Sequence, residues 1–181
     1  MKMRKFVEAG LMLAIGFVLH SIMPPIVMGM RPDLSLVMLF VVVMLYKDFK
    51  LTLVAGVVTG IISAFTTTFP GGQVANIIDK PLTAIAVFLL VSLIRKANVN
   101  EKLESGIVAA IGTLISGTLF LLSALIFVGL PGPFKGLFLS VVIPTTLMNI
   151  VFLYILYPII VRVKRMVGST EINSMSTEQP S

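Results

Sequence analysis

The sequence has no cysteine and a single histidine, His20, among its 181 residues. Disulfide bonds and thiolate metal sites are therefore excluded, and a metal ion at the histidine would need carboxylate ligands. No G-x-x-x-x-G-K-[ST] motif is present, so any ATP-driven work would require another subunit. These absences predict a protein with no metal site and no cofactor.

Charge is also scarce. Charged residues make up 12% of the sequence and hydrophobic residues 57%, whereas a soluble domain carries about 25% charged residues. The apolar runs are continuous, as in "LSLVMLFVVVMLY", while the strands of a membrane barrel alternate apolar and polar residues. Because a lipid-facing backbone must satisfy its own hydrogen bonds, the sequence predicts a helical bundle in a bilayer.

Six apolar segments predict an all-α membrane protein with six transmembrane helices. They lie near 6–22, 34–46, 51–69, 81–94, 106–130 and 137–161. The first resembles the start of a signal peptide but lacks a small-residue cleavage site, so we expect it to be retained. We expect one transmembrane domain over 1–165 and a polar, disordered cytoplasmic tail over 166–181.

Basic residues indicate the orientation of the bundle. With both termini in the cytoplasm, 11 of the 14 lysines and arginines lie on the inner side, as the positive-inside rule requires. The net charge of +6 is thereby explained by topology. It gives no reason to expect nucleic acid as a partner.

Two of the segments are too short to span the membrane alone, since about 20 residues are needed. Segments 34–46 and 81–94 contain 13 and 14 residues. Extension toward the outside, to Gly29–Tyr46 and Val74–Ile94, gives 18 and 21 residues. Pro32 lies in the first extension and Pro81 directly follows the second, and a proline suits a helix start or a break.

The same extensions bring Arg31, Asp33, Asp79 and Lys80 below the outer surface. Charges inside a membrane are costly and usually face a protein interior or a wet cavity. Since i,i+1 and i,i+2 neighbours do not share a helix face, we expect pairs across the bundle, Arg31 with Asp79 and Asp33 with Lys80, or contacts with a ligand. The four charges sum to zero, which suits a zwitterionic ligand. The alternative to a buried site is that these side chains extend to the lipid headgroups.

Further candidates for a substrate pocket are polar or adaptable side chains near the outer side or within the last helix. Gln73, Asn76 and Asn149 supply amides, and Met30 and Phe69 supply apolar walls. His20 is expected either at the membrane interface or in the lining of a pocket. A catalytic role for His20 is disfavoured because the adjacent Ser21 points away from it on a helix.

Small residues at four-residue spacing predict close helix packing. Gly56, Gly60 and Ala64 form such a stripe on the third helix. Gly10 and Ala14 form a shorter one on the first helix, and could pack internally or dock a separate membrane partner.

Three stretches carry a family resemblance: "HSIMPPIVMGMRPDLSLVMLF", "VTGIISAFTTTFPGGQVANIIDKP" and "SALIFVGLPGPF". Over about residues 1–165 the chain resembles the TrpP family of bacterial tryptophan transporters. TrpP proteins are similar to the substrate-capturing S components of energy-coupling-factor (ECF) transporters. The resemblance implies a multi-pass protein of the bacterial cytoplasmic membrane that takes up tryptophan from outside.

With tryptophan as the substrate that the resemblance implies, we assign roles to the candidate residues by their charge and side-chain chemistry, as a hypothesis. Arg31 or Lys80 would hold the substrate carboxylate, and Asp79, or secondarily Asp33, would bind the ammonium. Gln73 and Asn76 would complete the polar contacts, and Phe69 and Met30 would sandwich the indole.

The resemblance raises the question of an ECF module, a transmembrane coupling subunit with ATPases, as partner. S components dock it through an A-x-x-x-A pattern on the first helix. Here Ala9 is followed four residues later by Leu13, while Gly10 and Ala14 give a looser version. A solitary carrier and a module-dependent one both remain open.

Two other function classes are compatible with a small helical membrane protein. An intramembrane enzyme would use His20 or Asp79 as a base, but no nucleophile is paired with either. A structural or assembly protein would use the outer charges only to orient its helices, and would bind no amino acid.

Overall fold

The computed structural model describes residues 2–24 and 32–177, with side chains described for 3–24 and 32–166. Within these ranges the regular elements are helical. They are α1 Lys2–Ile22, α2 Leu34–Tyr46, α3 Phe49–Thr66, α4 Gly72–Lys96, α5 Glu101–Phe127, α6 Phe134–Leu137 and α7 Ile143–Thr177. A π-helical turn, Phe138–Val142, joins α6 to α7, so that these three elements form one helical run.

Five of the helical runs in the described residues are long and apolar enough to cross a membrane. They are Met3–Ile22, Phe49–Thr66, Gly72–Lys96, Glu101–Phe127 and Phe134–Met166. With α2 as a sixth, shorter helix, this architecture confirms the predicted all-α membrane bundle. The cytoplasmic location of both termini stays a prediction.

Helix α2 occupies the centre of the bundle. All 11 residues from Leu34 to Met44 are buried, and α2 contacts α1, α3, α4, α5 and α7. A helix that is apolar on every side is typical of a protein core or of a membrane span, and here the other helices of the bundle enclose it. Its 13 residues span about 20 Å, which is about 10 Å less than the hydrocarbon core.

Polar contacts hold one end of α2 near the end of the bundle that carries residue 2. Tyr46 donates a hydrogen bond to Glu8 of α1 (Oη–Oε2, 2.5 Å). Arg95 of α4 donates to the Met44 carbonyl (2.7 Å) and to Glu104 of α5 (2.6 Å). The opposite end of α2 is therefore the recessed one.

The recessed end of α2 is capped by Asp33, whose Oδ1 accepts a hydrogen bond from the amide of Leu36 (3.0 Å). Pro32 and Asp33 precede the helix. The predicted extension of this helix through Asp33 is therefore wrong, because the carboxylate stops the helix by capping it; residues 29–31 lie outside the described residues.

Helix α4 does extend outward, to Gly72, but the break expected at Pro81 is absent. Proline removes a single amide donor, and the other bonds of a 25-residue helix keep it continuous. Pro81 lies instead against α3, where a Cβ added at Gly56 would come within 3.0 Å of its Cα and 2.7 Å of the Ala84 Cβ. The small-residue stripe of α3 thus packs closely on α4, as its spacing predicted.

The last helix, α7, has a described backbone as far as Thr177. It therefore continues into the segment 166–181. Disorder of that segment stays a prediction.

Candidate functional site

A cavity of about 430 Å³ lies between the recessed end of α2 and the turns that follow α3 and α5. Its volume is in the range of small-molecule sites, about 300–1,000 Å³. The cavity is lined by His20, Asp33, Leu36, Ser63, Thr66, Thr67, Thr68, Phe69, Pro70, Asn76, Lys80, Thr113, Ser116, Gly117, Phe120, Leu121, Pro131, Val141, Val142 and Thr145.

An ion pair between α2 and α4 forms the charged floor of this cavity. The Lys80 Nζ lies 2.8 Å from Asp33 Oδ2. The Lys80 side chain is 4% exposed and that of Asp33 22%, and both line the cavity. The predicted pairing of Asp33 with Lys80 across the bundle is confirmed.

Asp79 lies behind Lys80 and does not line the cavity. It is fully buried and accepts hydrogen bonds from Thr83 (2.7 Å) and Ser116 (2.9 Å). Its Oδ2 is also 2.9 Å from Lys80 Nζ. The expectation that neighbouring Asp79 and Lys80 cannot meet was wrong, because the long lysine stem can fold back even though the two Cβ atoms diverge.

Three oxygen partners therefore surround the Lys80 ammonium, which donates hydrogen bonds to two of them, on Asp33 and Ser116, and is in ion-pair contact with the third, on Asp79. The Ser116 hydroxyl, on α5, lies 3.2 Å from the Lys80 Nζ. A buried charge is stable only when it is paired and hydrogen-bonded. This arrangement fixes the ammonium at the cavity floor.

His20 reaches the cavity from α1. Its Nδ1 lies 3.1 Å from the carbonyl oxygen of Pro32. Since a carbonyl only accepts, Nδ1 carries the proton in this contact, and Nε2 is the ring nitrogen left for a ligand. The histidine lines the pocket, as expected.

The three amide candidates occupy different places. Asn76 lines the cavity, and its Nδ2 donates to the carbonyls of Gly72 (2.9 Å) and Ser63 (3.4 Å). Gln73 is exposed and does not line the cavity. Asn149 is fully buried behind the cavity wall and donates to Thr113 Oγ1 (3.2 Å).

Two aromatic rings, those of Phe69 and Phe120, line the cavity together. Phe69 contacts Phe120 of α5 edge to face, with ring centroids 5.2 Å apart and an interplanar angle of 78°. The Phe69 amide donates to Thr67 Oγ1 (3.2 Å), and Gly71 makes the following turn with φ +69°, a conformation that favours glycine. These contacts hold the Phe69 ring over the cavity.

The structure thus brings five of the predicted site residues to one cavity: His20, Asp33, Phe69, Asn76 and Lys80. It places Gln73, Asp79 and Asn149 away from the cavity surface. Met30 and Arg31 lie outside the described residues. Within the part of the chain that the structure describes, no group of three or more His, Asp or Glu side chains is placed to hold a metal ion.

Sequence reasoning missed the contribution of α5. Thr113, Ser116, Gly117, Phe120 and Leu121 line the cavity. Their spacing of i, i+3, i+4, i+7 and i+8 marks one helix face. Two hydroxyls and a glycine on one face of an apolar helix were the signal that could have identified it.

The small residues of α1 lie on the outer surface of the bundle. Gly10 and Ala14 are exposed, and a Cβ added at Gly10 would meet no atom within 4 Å. Ala9 and Leu13, by contrast, are 2% and 5% exposed within the core.

Comparison with known proteins gives consistent matches. Residues 2–165 match the family model described as "Tryptophan transporter TrpP". A "Probable tryptophan transport protein" of Bacillus subtilis (strain 168) is 46% identical over 165 residues, covering 91% of this chain and 95% of the relative.

Two clostridial proteins carry the same description. The one from Clostridium acetobutylicum is 48% identical over 149 residues, covering 82% of this chain and 86% of the relative. The one from Clostridium perfringens is 46% identical over 158 residues, covering 83% and 87%. No solved structure matches significantly.

Proposed function

The chain belongs to the TrpP family of tryptophan transporters, and from this premise we propose that it captures zwitterionic tryptophan in the cavity above Asp33 and Lys80. It is a multi-pass membrane protein of a bacterial type and a transporter rather than an enzyme. The proposal concerns where the amino acid binds, from which side, and with which partner.

The observation that carries the proposal is the Asp33–Lys80 ion pair at the cavity floor (2.8 Å). A zwitterionic amino acid carries the same two kinds of charge, an ammonium and a carboxylate attached to its α-carbon. Its ammonium can bind Asp33 and its carboxylate Lys80, so that one ion pair is exchanged for two. Each new pair forms where little water competes, which strengthens it.

Asp79 has a supporting role in this exchange. Because it keeps contact with Lys80 from behind at 2.9 Å, the lysine stays paired when Asp33 turns to the substrate. Arg31, next to Pro32 in the sequence, remains a second candidate for the carboxylate. Met30 remains a candidate for the wall around the indole.

The indole would lie between the charged floor and the Phe69–Phe120 pair. An aromatic ring that enters such a pair makes edge and face contacts worth about 0.5–1.5 kcal/mol beyond the burial of its area. Asn76 and His20 Nε2 supply polar contacts at the sides. The cavity thus offers both charges and a ring site.

Capture from outside follows if the end of the bundle that carries residue 2 lies in the cytoplasm. The cavity is at the other end, next to the turns after α3 and α5. With that orientation, the basic residues obey the positive-inside rule. The cavity then faces the extracellular side.

An ECF-type module is the partner that we propose for release into the cytoplasm. Gly10 and Ala14 form a small-residue patch on α1 that is exposed on the bundle surface. Small residues allow two membrane helices to approach closely. Ala9 and Leu13 are buried in the core. The exposed patch of Gly10 and Ala14, rather than the pair Ala9 and Leu13, is therefore available for docking.

The test compares Asp33→Asn with unmodified protein, purified in detergent, by isothermal titration calorimetry. We expect tryptophan to bind roughly 10- to 100-fold more weakly to the variant, because one charged hydrogen bond is lost. Tryptamine, which has only the ammonium, should lose affinity as well. Indole-3-propionate, which has only the carboxylate, should not, since Lys80 gains a free position.

Asp48→Asn is the matched control, because Asp48 caps α3 as Asp33 caps α2. Asparagine is also a good N-cap, so neither change should unfold its helix. Equal loss of affinity for all three ligands in Asp33→Asn would contradict the proposed charge pairing. No binding of tryptophan to unmodified protein would contradict the site itself.

A further inference from the structure

Contacts between α3 and α4 divide the cavity wall into three levels. At the floor, a Cβ added at Gly60 would lie 3.4 Å from the Lys80 Cβ. One turn outward, the Ser63 carbonyl accepts the hydrogen bond of Asn76. Phe69 follows the end of α3 and lines the cavity at the outermost level. Ser63 therefore lies midway between the charges and the aromatic pair.

The Ser63 hydroxyl is unlike the other hydroxyls of the outer half of α3. Thr59 donates to the carbonyl of Ala55 (2.8 Å), and Thr66 donates to that of Ile62 (3.1 Å). Such bonds to the preceding turn are the usual way for a helix hydroxyl to be satisfied in an apolar setting. Ser63 Oγ makes no such bond.

Within the described residues, four buried side-chain atoms have no hydrogen-bond partner: Ser35 Oγ, Ser63 Oγ, Arg95 Nη1 and Asn149 Oδ1. Of these four atoms, only Ser63 Oγ belongs to a residue that lines the cavity; Ser63 as a whole is 6% exposed, and its Oγ is buried. Leaving a buried hydroxyl unpaired is unfavourable. A ligand in the cavity can supply the missing partner.

Tryptophan has one polar group beyond its zwitterion, the indole N–H. This group is on the five-membered ring, which also carries the link to the α-carbon. If the charges bind at the floor and the outer ring reaches Phe69, the five-membered ring is at the level of Ser63. We propose that the Ser63 hydroxyl accepts the indole N–H hydrogen bond and selects tryptophan over amino acids whose ring lacks that donor; this inference rests on the proposed function.

The test measures the affinities of two ligands for Ser63→Ala and unmodified protein by calorimetry. The ligands are L-tryptophan and L-3-benzothienylalanine, in which sulfur replaces the ring N–H. We expect Ser63→Ala to lower the affinity for tryptophan about three- to tenfold, the usual effect of losing one hydrogen bond. The same substitution should change the affinity for benzothienylalanine by less than about twofold. The ratio of the two affinities, which measures the preference for tryptophan, should therefore fall.

Ser35→Ala is the matched control, since Ser35 is also buried and unpaired but does not line the cavity. It should leave the ratio of the two affinities unchanged. An unchanged ratio in Ser63→Ala, whether both ligands weaken equally or neither does, would overturn the inference while leaving the proposed function intact. No tryptophan binding to unmodified protein would overturn both.

Discussion

Lys80 is the residue on which the candidate site depends most. Its ammonium joins α4 to α2 through Asp33 and to α5 through Ser116, and it contacts Asp79 on its own helix. Charged groups in a membrane protein are kept where they have a function, because each is costly to bury. The same side chain therefore contributes to stability and to the proposed binding of substrate.

Replacing Lys80 with methionine should separate these two contributions. The change leaves Asp79 buried without its cation, and breaking one side of a buried ion pair costs about 3–5 kcal/mol. We expect a clearly lower melting temperature in detergent and no tryptophan uptake. Adding Asp79→Asn should restore most of the melting temperature but not uptake, because the Lys80 charge is still missing.

Lys135→Met is a suitable control, since Lys135 is exposed in the last helical run. It should change neither quantity. A Lys80→Met/Asp79→Asn protein that melts as low as the single variant would contradict the view that the unpaired carboxylate causes the loss.

At the residue scale, the sequence predicted the charges better than it predicted the cavity wall. The pairing of Asp33 with Lys80 follows from helix geometry and the cost of burying charge. The contact between Asp79 and Lys80 was not predicted, because the Cβ directions of adjacent helical residues do not limit the reach of a long, flexible lysine side chain. Phe120 could not be singled out, because phenylalanine is ordinary in a membrane helix.

At the scale of helices, α3 and α4 pack closely against each other beside the cavity. Gly56 contacts α4 where a Cβ would be 2.7 Å from Ala84 Cβ and 3.0 Å from Pro81 Cα. The second of these atoms belongs to the backbone and cannot move aside alone. Glycine is therefore required here by packing.

Gly56→Ala should lower the melting temperature, since overpacking costs about 1–3 kcal/mol. Gly10→Ala is the matched change, because a Cβ there meets no atom within 4 Å. Both glycines are in helices, so both substitutions gain the same helix propensity, up to about 1 kcal/mol. A Gly56→Ala protein as stable as Gly10→Ala, by thermal unfolding in detergent, would contradict the close approach.

The number and type of helices were predictable, whereas the start of α2 and the continuity of α4 were not. Continuous apolar runs identify membrane helices because the bilayer excludes other backbone arrangements. The start of α2 depends on Asp33 as a cap, and the continuity of α4 through Pro81 depends on the other hydrogen bonds of this long helix. Neither is visible in hydropathy alone.

The whole molecule has one sealed end and one end with a cavity. Glu8, Tyr46, Arg95 and Glu104 join α1, α2, α4 and α5 by hydrogen bonds at the sealed end. If tryptophan binds above Asp33 as proposed, these contacts lie between it and that end in this conformation. Transport requires either opening of these contacts or movement of the whole bundle by a partner.

The surface of α1 offers the place where such a partner would act. Gly10→Leu with Ala14→Leu fills the exposed patch without touching the core, so purified protein should bind tryptophan with unchanged affinity. Uptake in cells should fall to background, and co-purification of an ATPase module should be lost, because bulky side chains prevent close helix approach. Ser92→Leu, at an exposed small residue of α4, should retain both. Full uptake by the α1 variant would argue instead for a solitary carrier, whose transport should then depend on the membrane potential or a proton gradient rather than on ATP.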